Sequence, residues 1–518
     1  MCQVDEEYSG LIRSKPSPIS YKKCVKCKHG SAVLTIRSGD GFCRGCFKDY
    51  FIHKFRAMLG KNRIIFPGER VLLAVSGGLA SSSMLSQVQE GLSHDASKKL
   101  RFIPGIIYVD EGGAIGLSTE ERKKTISQLE DIFQNTSYPY HIVPFEEIFR
   151  LPASVLETMR PTSDHSVSSY KWAVAQFTQD IRTGQSRESR DPSLEDCFSG
   201  LDTRDWSQKL PPSADHTEAL KLLFASVKTL TAKEDLLQTL RLHLILYVAR
   251  QAGYTKIMVG DSCSRLAVKL LSSIALGRGA ALAMDTGFSD PRYDDVIIVR
   301  PMRDYSSKEI AFYNRMFSVP SVFSPSLDTM APDKASIQRL TETFLTKLQT
   351  DFPSTVSTIY RTSEKLHTAH PPQSSDAHPA ARCLLCLCAL DTTADDCSAL
   401  HATLQSEWLS QNRGRGNSPV ASGPNSAPDQ CCSSVRGCAT SVGGGGGGSC
   451  CSSSNQMPVS SDLMALLCYS CRLTIKDMAT VATLPQYVVT EADRRKRRHV
   501  MKKEISQYLL DDNEDLQS

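Results

Sequence analysis

Two pairs of cysteines near the amino terminus have the spacing of a metal site. Cys24, Cys27, Cys43 and Cys46 form the pattern C-x2-C-x15-C-x2-C. Each C-x2-C segment makes a tight turn that presents two thiolates to one ion, and four thiolates suit tetrahedral zinc. The residues between the pairs, KHGSAVLTIRSGDGF, predict a β-hairpin with a Gly-containing turn. We therefore predict a structural zinc ribbon over residues 23–50.

A second set of cysteines is split by a long insertion. Cys383 and Cys386 form one C-x2-C pair, and Cys468 and Cys471 form the other. Lengthening the closed loop from 15 to 81 residues costs roughly 1.5 kcal/mol, whereas a structural zinc site contributes about 10–16 kcal/mol. The sequence therefore predicts a second zinc site. Four independent core cysteines are the alternative, and Cys388 is a further thiol that could replace Cys386 as a ligand.

A glycine-containing loop follows an apolar segment further along the chain. The stretch VLLAVSGGLASSSMLSQVQEGL predicts a strand, a phosphate-binding loop and a helix, with Ser76, Gly77, Gly78 and Ser81 in the loop. Glycines let the backbone approach a phosphate, and the amides at a helix start donate to it. We expect both glycines to hold a turn that a Cβ atom would strain. The loop contains no carboxylate, the ligand type that a hard cation such as Mg²⁺ prefers.

Length, charge and composition limit the class of protein. The 518 residues suffice for two or three domains with a sizeable core. The net charge of +4 is weakly basic, so that any nucleic-acid surface must be local. No apolar run approaches the ~20 residues that a membrane span needs, and the polar first residues do not resemble a signal peptide. We therefore predict a cytoplasmic protein without a membrane partner, whose 18 cysteines serve as metal ligands rather than disulfides.

Alternating strand and helix patterns predict the β-sheet that positions the loop. The segments that read as buried strands are RVLLAVSGG, RFIPGIIYVDEG, YPYHIVPFEEIF, TKIMVGDS and DDVIIVR, and helical patterns lie between them. Such alternation predicts an α/β fold with a doubly wound parallel sheet. Sheets of this kind bind ligands at the carboxyl ends of their strands.

Changes in composition divide the chain into five predicted parts. These are a flexible lead at 1–22, the zinc ribbon at 23–50, the α/β domain at 51–370 with an irregular insertion at about 158–215, a split zinc ribbon at 371–475 with a disordered Gly/Ser/Pro insertion at about 405–460, and a basic helix with an acidic tail at 476–518.

A basic helix follows the first cysteine set directly. Its apolar residues fall on one side, and its cations make the opposite side basic. Basic side chains beside a zinc ribbon suit contacts to an RNA phosphate backbone. The candidates for such contacts are Lys54, Arg56, Lys61 and Arg63. A solvated helix face is the alternative.

In this context the loop resembles the PP-loop of the ATP pyrophosphatases, S-G-G-x-D-S, a family that includes the tRNA thiolases. The resemblance covers about 70–313, without the insertion, and includes YVDEG and VGDSCSRLAVKLLSSIALGRG. Ala80 stands where the motif has Asp, and Ser264 and Arg265 stand where the thiolases have two acids. The helical segment LTAKEDLLQTLRLHLI also lacks the C-x-x-C of the thiolases. The resemblance therefore implies that this chain has no catalytic residue and does not use ATP.

A more specific resemblance is to the degenerate PP-loop partner subunits of the eukaryotic wobble-uridine tRNA thiolase. The segments that carry it include CVKCKHGSAVLTIRSGDGFCRGCFKDYFIHKFRAMLGKNRIIF, GDSCSRLA, RPMRDYSSKEIAFYNRMFSVPSVF and LLCYSC. This resemblance implies a heterodimer with a catalytic thiolase paralogue that 2-thiolates the wobble uridine of tRNA Lys, Glu and Gln. The sulfur arrives as a thiocarboxylate on a ubiquitin-related modifier. In this family the chain would bind tRNA and act as a scaffold.

Two alternatives from other functional classes remain open on the sequence. Ser76 and Gly77 are compatible with a free-standing ATP-dependent adenylating enzyme, although the acids and thiols are missing. The cysteine sets are also compatible with a zinc-ribbon adaptor that has no RNA role.

Overall fold

The structure is a computed structural model that describes residues 23–36, 40–93, 96, 99–157, 170–171, 173–174, 213–329, 331–366, 382–390 and 463–506. The chain forms two units, one of residues 1–391 and 466–518 and one of residues 392–465, of which only 463–465 are described. The predicted flexible lead, disordered insertion and acidic tail lie outside the described residues, as does most of the irregular insertion. Among the described helices, none is long and apolar enough to cross a membrane.

A short hairpin and a long helix form the first described segment. Strands β1 (Leu34–Thr35) and β2 (Gly41–Phe42) pair antiparallel, as the sequence between the cysteine pairs predicts. Helix α1 (Arg44–Asn62) begins inside the predicted ribbon and continues without a break past residue 50. The cysteine segment therefore leads directly into a helix.

A six-stranded sheet follows in the chain and carries the nucleotide loop. Its strands are β3 (Arg70–Ala74), β4 (Ile103–Asp110), β5 (Tyr140–Pro144), β6 (Lys256–Val259), β7 (Ser289–Tyr293) and β8 (Val296–Val299). The strand order is β5-β4-β3-β6-β8-β7, and all neighbours are parallel except β7 and β8. The predicted parallel sheet of an α/β fold is confirmed. The antiparallel edge strand β7, SDPRY, was missed because a proline and two charged residues conceal any apolar pattern.

Twelve further helices are described. They are α2 (Leu79–Leu92), α3 (Gly112–Ile115), α4 (Thr119–Gln134), α5 (Ala214–Ser226), α6 (Leu230–Gln251), α7 (Cys263–Ala275), α8 (Leu282–Thr286), α9 (Ser307–Phe317), α10 (Ile337–Asp351), α11 (Thr355–Ser363), α12 (Tyr469–Lys476) and α13 (Gln486–Ser506). Short 3-10 helices occur at Phe145–Arg150, Ala153–Leu156, Gly279–Ala281 and Val481–Thr483. Capping boxes start α4 and α9 and satisfy amides that a helix start leaves unpaired.

Helix α1 packs against the α/β core through aromatic contacts. The ring of Phe51 stacks on Tyr313 of α9, with 4.0 Å between centroids. The buried Tyr305 hydroxyl donates to the Phe51 carbonyl oxygen at 2.5 Å. Because α1 also carries the last cysteine of the first set, this packing fixes that set against the sheet domain.

Candidate metal centres and the altered nucleotide loop

The four amino-terminal cysteines converge to the geometry of a metal site. The sulfur atoms of Cys24, Cys27, Cys43 and Cys46 all lie within 4.8 Å of one another, and those of Cys27 and Cys43 are 3.9 Å apart. A tetrahedral ion with metal–sulfur distances of about 2.3 Å places its sulfurs about 3.8 Å apart, whereas a disulfide needs about 2.05 Å. The donor set therefore fits a metal ion.

The backbone around the first pair shapes this centre. The Gly30 amide donates to the Cys27 sulfur at 3.4 Å, and the Cys24 amide donates to the Gly30 carbonyl at 2.7 Å. The amide of Gly30 is also the main cause that lowers the pKa of Cys27. A Cβ atom on Gly30 would lie 3.0 Å from the Cβ of Cys43 and 3.6 Å from the Cys27 sulfur, so the turn leaves little room for a side chain at this position. The turn thus favours the thiolate form that a metal binds.

The second cysteine set also converges, although its two halves are far apart in the chain. The sulfurs of Cys383, Cys386, Cys468 and Cys471 lie within 4.8 Å of one another, and those of Cys386 and Cys468 are 3.6 Å apart. The amide of Leu384 donates to the Leu466 carbonyl at 2.9 Å, which joins the two halves beside the sulfurs. The structure therefore brings together two groups of four cysteines, each able to hold a metal ion.

Cys388, the alternative ligand, lies outside this second group. Its sulfur accepts a hydrogen bond from Nη1 of Arg292 at 2.8 Å. The geometry selects Cys386 as the fourth donor, because only Cys386 lies within reach of the other three sulfurs.

Both centres use a helix start in the same way, a feature that the sequence analysis missed. Cys43 is the N-cap residue of α1, and Cys46 lies in the first turn of that helix. Cys468 is the N-cap residue of α12, and Cys471 lies in its first turn. The positive end of a helix stabilises a thiolate, so this placement favours metal ligation.

Cations and their carboxylate partners lie beside the second centre. Arg278 donates to Asp235 at 2.6 Å and to the Ser470 hydroxyl at 2.8 Å. A cavity of about 130 Å³ beside the centre is lined by Lys269, Arg278 and Arg292 as well as by two of the cysteine ligands. Arg278 is already paired with Asp235, and Arg292 with Asp285 and Asp290, so the two arginines offset little of the negative charge of a metal–thiolate group.

His243 connects the second centre to the carboxyl-terminal helix, and sequence reasoning did not find it. Burial lowers the pKa of this side chain to about 4, so the imidazole is neutral near pH 7. Because a carbonyl can only accept, Nε2 donates to the Leu385 oxygen at 2.8 Å, and Nδ1 accepts from the Tyr487 hydroxyl at 2.6 Å. The histidine lies in an apolar helical stretch, LRLHLILYV, that gives no signal of such a role.

Serine hydroxyls hold the loop of residues 76–81 in its conformation. The Ser81 hydroxyl accepts from the Ser76 amide at 3.2 Å and donates to the Gly78 carbonyl at 3.1 Å. The Ser82 hydroxyl donates to the Gly77 carbonyl at 3.1 Å. The four loop residues predicted from the sequence therefore come together where β3 meets α2.

The two loop glycines differ in backbone conformation and in the space available for a Cβ atom. Gly77 has a φ of +81°, and a Cβ atom there would lie 3.0 Å from Cδ2 of Leu129 and 3.2 Å from the Val322 carbonyl oxygen. Gly78 has an ordinary extended backbone, with φ −68° and ψ 163°. A Cβ atom on Gly78 would meet nothing closer than the Ser76 hydroxyl at 3.6 Å. The expectation of strain is confirmed for Gly77 and is wrong for Gly78.

Neighbouring segments pack closely on the loop. The Val322 amide donates to the Gly77 carbonyl at 2.9 Å. A Cβ atom on Gly260, in the segment after β6, would lie 2.9 Å from the Ser81 backbone. Ala80, where the PP-loop motif has Asp, is partly buried and packs against the apolar core. The position of the missing acid is thus used for packing.

Acids that follow the parallel strands are paired with arginines. Asp110 ends β4, and Glu146 follows β5; both pair with Arg122, at 2.7 Å and 2.6 Å. Two more such pairs are Glu111 with Arg241 and Asp261 with Arg300. At the carboxyl edge of the sheet, where such folds bind ligands, these carboxylates are neutralised within the chain. A hard cation would have to displace an arginine to reach them.

The four candidate RNA contacts fall into two groups. Lys54 pairs with the buried Glu309 at 2.8 Å, and Arg56 pairs with Glu90 at 3.0 Å. Their side chains are only 17 % and 16 % exposed, so these two cations serve the packing of α1. Lys61 and Arg63, at the carboxyl end of α1, are exposed.

Comparison with known proteins then assigns the family. Residues 336–473 match the family model described as "Cytoplasmic tRNA 2-thiolation protein 2". A relative of that name from Danio rerio is 60 % identical over 521 residues, which cover 99 % of this chain and 100 % of the relative. The chain belongs to the cytoplasmic tRNA 2-thiolation protein 2 family. The human member of this family is 49 % identical over 525 residues, which cover 99 % of each chain, and the resemblance stated from the sequence is confirmed.

A solved structure was also found. The U34-tRNA thiolase NcsA from Methanococcus maripaludis, solved with its [4Fe-4S] cluster, matches 71 % of this chain and 93 % of its own length. The TM-score is 0.42 and the sequence identity is 16 %.

Proposed function

We propose that this chain is the non-catalytic subunit of a cytoplasmic tRNA 2-thiolation complex, in which it binds tRNA and acts as a scaffold. Its relatives carry tRNA 2-thiolation and the cytoplasm in their names. A catalytic thiolase paralogue would form the heterodimer and thiolate the wobble uridine of tRNA Lys, Glu and Gln. A ubiquitin-related modifier would supply the sulfur as its thiocarboxylate. ATP would be used by the paralogue and not by this chain.

The observation that best supports a non-catalytic role is the pairing of the acids at the carboxyl edge of the sheet. Carboxylates at the ends of β4, β5 and β6 are paired with arginines, and the loop has Ala80 in place of an acid. ATP chemistry needs Mg²⁺, which seeks free carboxylates. The loop of this chain therefore fits a structural role in the fold better than a role in adenylation.

We further propose that both cysteine groups hold zinc, each as part of a ribbon. Four sulfurs within 4.8 Å fit a closed tetrahedral site. A closed site of this kind supplies no reaction chemistry and stabilises the fold. Metal analysis of protein purified without chelators should find close to two zinc ions per chain, and iron in their place would refute the assignment.

The test of the non-catalytic role is to rebuild the complex with Ser76→Ala and a wild-type paralogue. This substitution removes the loop hydroxyl that a catalytic loop would use but leaves the φ of Gly77 unchanged. We expect tRNA thiolation at the wild-type rate, whereas a paralogue variant without its own loop acid should be inactive. Loss of thiolation in a Ser76→Ala complex that still assembles and binds tRNA would mean that this loop is catalytic.

The two alternatives give different results in simpler assays. A free-standing adenylating enzyme would exchange pyrophosphate into ATP without the paralogue, and we expect no exchange from this chain. Ala80→Asp should not create exchange either, because Ser264 and Arg265 still replace the other acids. If the chain is an adaptor without an RNA role, removing its exposed cations should leave the tRNA affinity of the complex unchanged.

The exposed end of α1 is the part of that helix that we propose for tRNA contact. Lys61 and Arg63 are exposed, whereas Lys54 and Arg56 are held in ion pairs. Lys61→Gln with Arg63→Gln should lower the log–log salt slope of tRNA binding by about one to two units, since each phosphate contact contributes about one. An unchanged slope would mean that the two cations only face solvent.

A further inference from the structure

The carboxyl-terminal helix α13 consists of a buried half and an exposed half. Tyr487, Val488 and Ala492 in the first half are at most 3 % exposed. From Lys496 to Ile505, every side chain that the structure describes is exposed. These ten residues extend over about 15 Å of helix, and the exposed half is called the arm below.

Specific contacts anchor the helix just before the arm begins. Arg495 donates to the Arg382 carbonyl at 2.6 Å, to the Leu156 carbonyl at 3.1 Å and to the Glu491 carboxylate at 2.8 Å. Arg382 immediately precedes the second cysteine centre. The base of the arm is therefore fixed to the folded unit.

The charge of the arm is high and mainly positive, with five Lys and Arg and one acid, Glu504, in residues 496–505. Residues 494–503 read RRKRRHVMKK, with seven Lys and Arg and no acid. Arg494 and Arg495 are used in ion pairs at the base. Within the described part of the chain, the side chains of Arg498 and Lys502 make no hydrogen bond or ion pair. Like charges four residues apart weaken an isolated helix, so this surface is unfavourable without a polyanionic partner.

The distribution of side chains favours a nucleic acid over a protein groove. At about 100° per residue, Lys496, Arg497 and Arg498 point in three widely separated directions. The exposed apolar residues Val500, Met501 and Ile505 lie within an arc of about 140°, and Arg497 projects from the middle of that arc. A helix that docks in a groove has an apolar stripe that no charged residue interrupts. A helix that is basic all round suits an extended anionic surface.

We propose that the arm, residues 496–505, contacts the phosphate backbone of tRNA. This inference rests on the proposed tRNA-binding function and adds a binding element to it. Contacts of this kind hold the RNA by charge and do not read its sequence. The anchored base would place the arm at a fixed position relative to the folded unit that contains it.

The test combines three substitutions, Arg497→Gln, Arg498→Gln and Lys502→Gln, in the full chain bound to its paralogue. Glutamine is a good helix former, so the arm should stay helical. The matched control changes three exposed lysines elsewhere, Lys123, Lys124 and Lys347, to glutamine and lowers the net charge equally. Binding of full-length substrate tRNA is measured from low to high salt. We expect about tenfold weaker binding near physiological salt and a log–log slope lower by about two to three units.

The possible outcomes separate this inference from the function on which it rests. Equal affinity and slope in the arm variant and the control would refute the arm and leave the tRNA-binding function standing. The wild-type complex could thiolate tRNA while the arm variant binds tRNA normally but does not assemble with the paralogue. That combination would mean that the arm docks on a protein and not on tRNA. A wild-type complex that binds no tRNA would refute both proposals.

Discussion

Replacing Gly77 by alanine should destabilise the protein far more than the same change at Gly78. A non-glycine residue with positive φ costs about 1–2 kcal/mol. The new Cβ would also press on Leu129 and on the backbone of Val322 at 3.0–3.2 Å, and crowding of this kind costs about 1–3 kcal/mol. Restricting the unfolded chain recovers about 0.4–1 kcal/mol. The free energy of unfolding should therefore fall by about 2–4 kcal/mol.

Gly78→Ala is the matched control because it makes the same chemical change one residue away. Its φ of −68° suits alanine, and its Cβ would meet nothing within 3.4 Å. The loss of a preferred N-cap residue and the gain from a less flexible unfolded chain are both within about 1 kcal/mol and oppose each other. We expect almost no net change.

The assay is thermal unfolding of the two variants and the wild type at one scan rate. From the entropy of unfolding of domains of this size, Gly77→Ala should lower Tm on the order of 5 °C, and Gly78→Ala should leave it nearly unchanged. Equal shifts for the two variants would show that the positive φ and the close contact at Gly77 do not govern this loop.

Three further perturbations have defined outcomes. Cys46→Ser should lower the metal content from two ions per chain to one, whereas Cys263→Ser, outside both groups, should leave it at two. Burial raises the pKa of Glu234 to about 7. The stability that the protonated carboxyl group contributes is therefore complete below pH 4.5 and is lost as the pH rises through 7. Glu234→Gln should raise Tm relative to wild type at pH 8 but not at pH 5. Arg122→Met leaves two buried carboxylates unpaired and should lower the free energy of unfolding by about 3–5 kcal/mol. The control, Lys26→Met at an exposed ion pair, should lower it by less than about 1 kcal/mol. Equal effects would contradict the burial of the Arg122 pairs.

The sequence by itself determined which cysteines form the two groups that could hold a metal ion, and the type of sheet. Two cysteines separated by two residues lie close together in any tight turn, so the C-x2-C pairs can be recognised in the sequence before the fold is known. Continuous apolar runs such as VLLAV and GIIYV mark strands that are buried on both faces, and the helices between them require parallel pairing. Both features depend on short-range geometry that a single sequence records.

Only the tertiary structure decided which charges are free and which glycine is constrained. Lys54 resembles a solvent-facing cation until α9 brings Glu309 to it from 255 residues away. Gly77 and Gly78 are equivalent in the sequence, and only Gly77 has a positive φ and a close contact with Val322. Such facts depend on contacts between distant segments, which local periodicity does not encode. For the same reason the sequence predicted a phosphate-binding turn, but the arginines that neutralise the neighbouring acids became visible only in the folded chain.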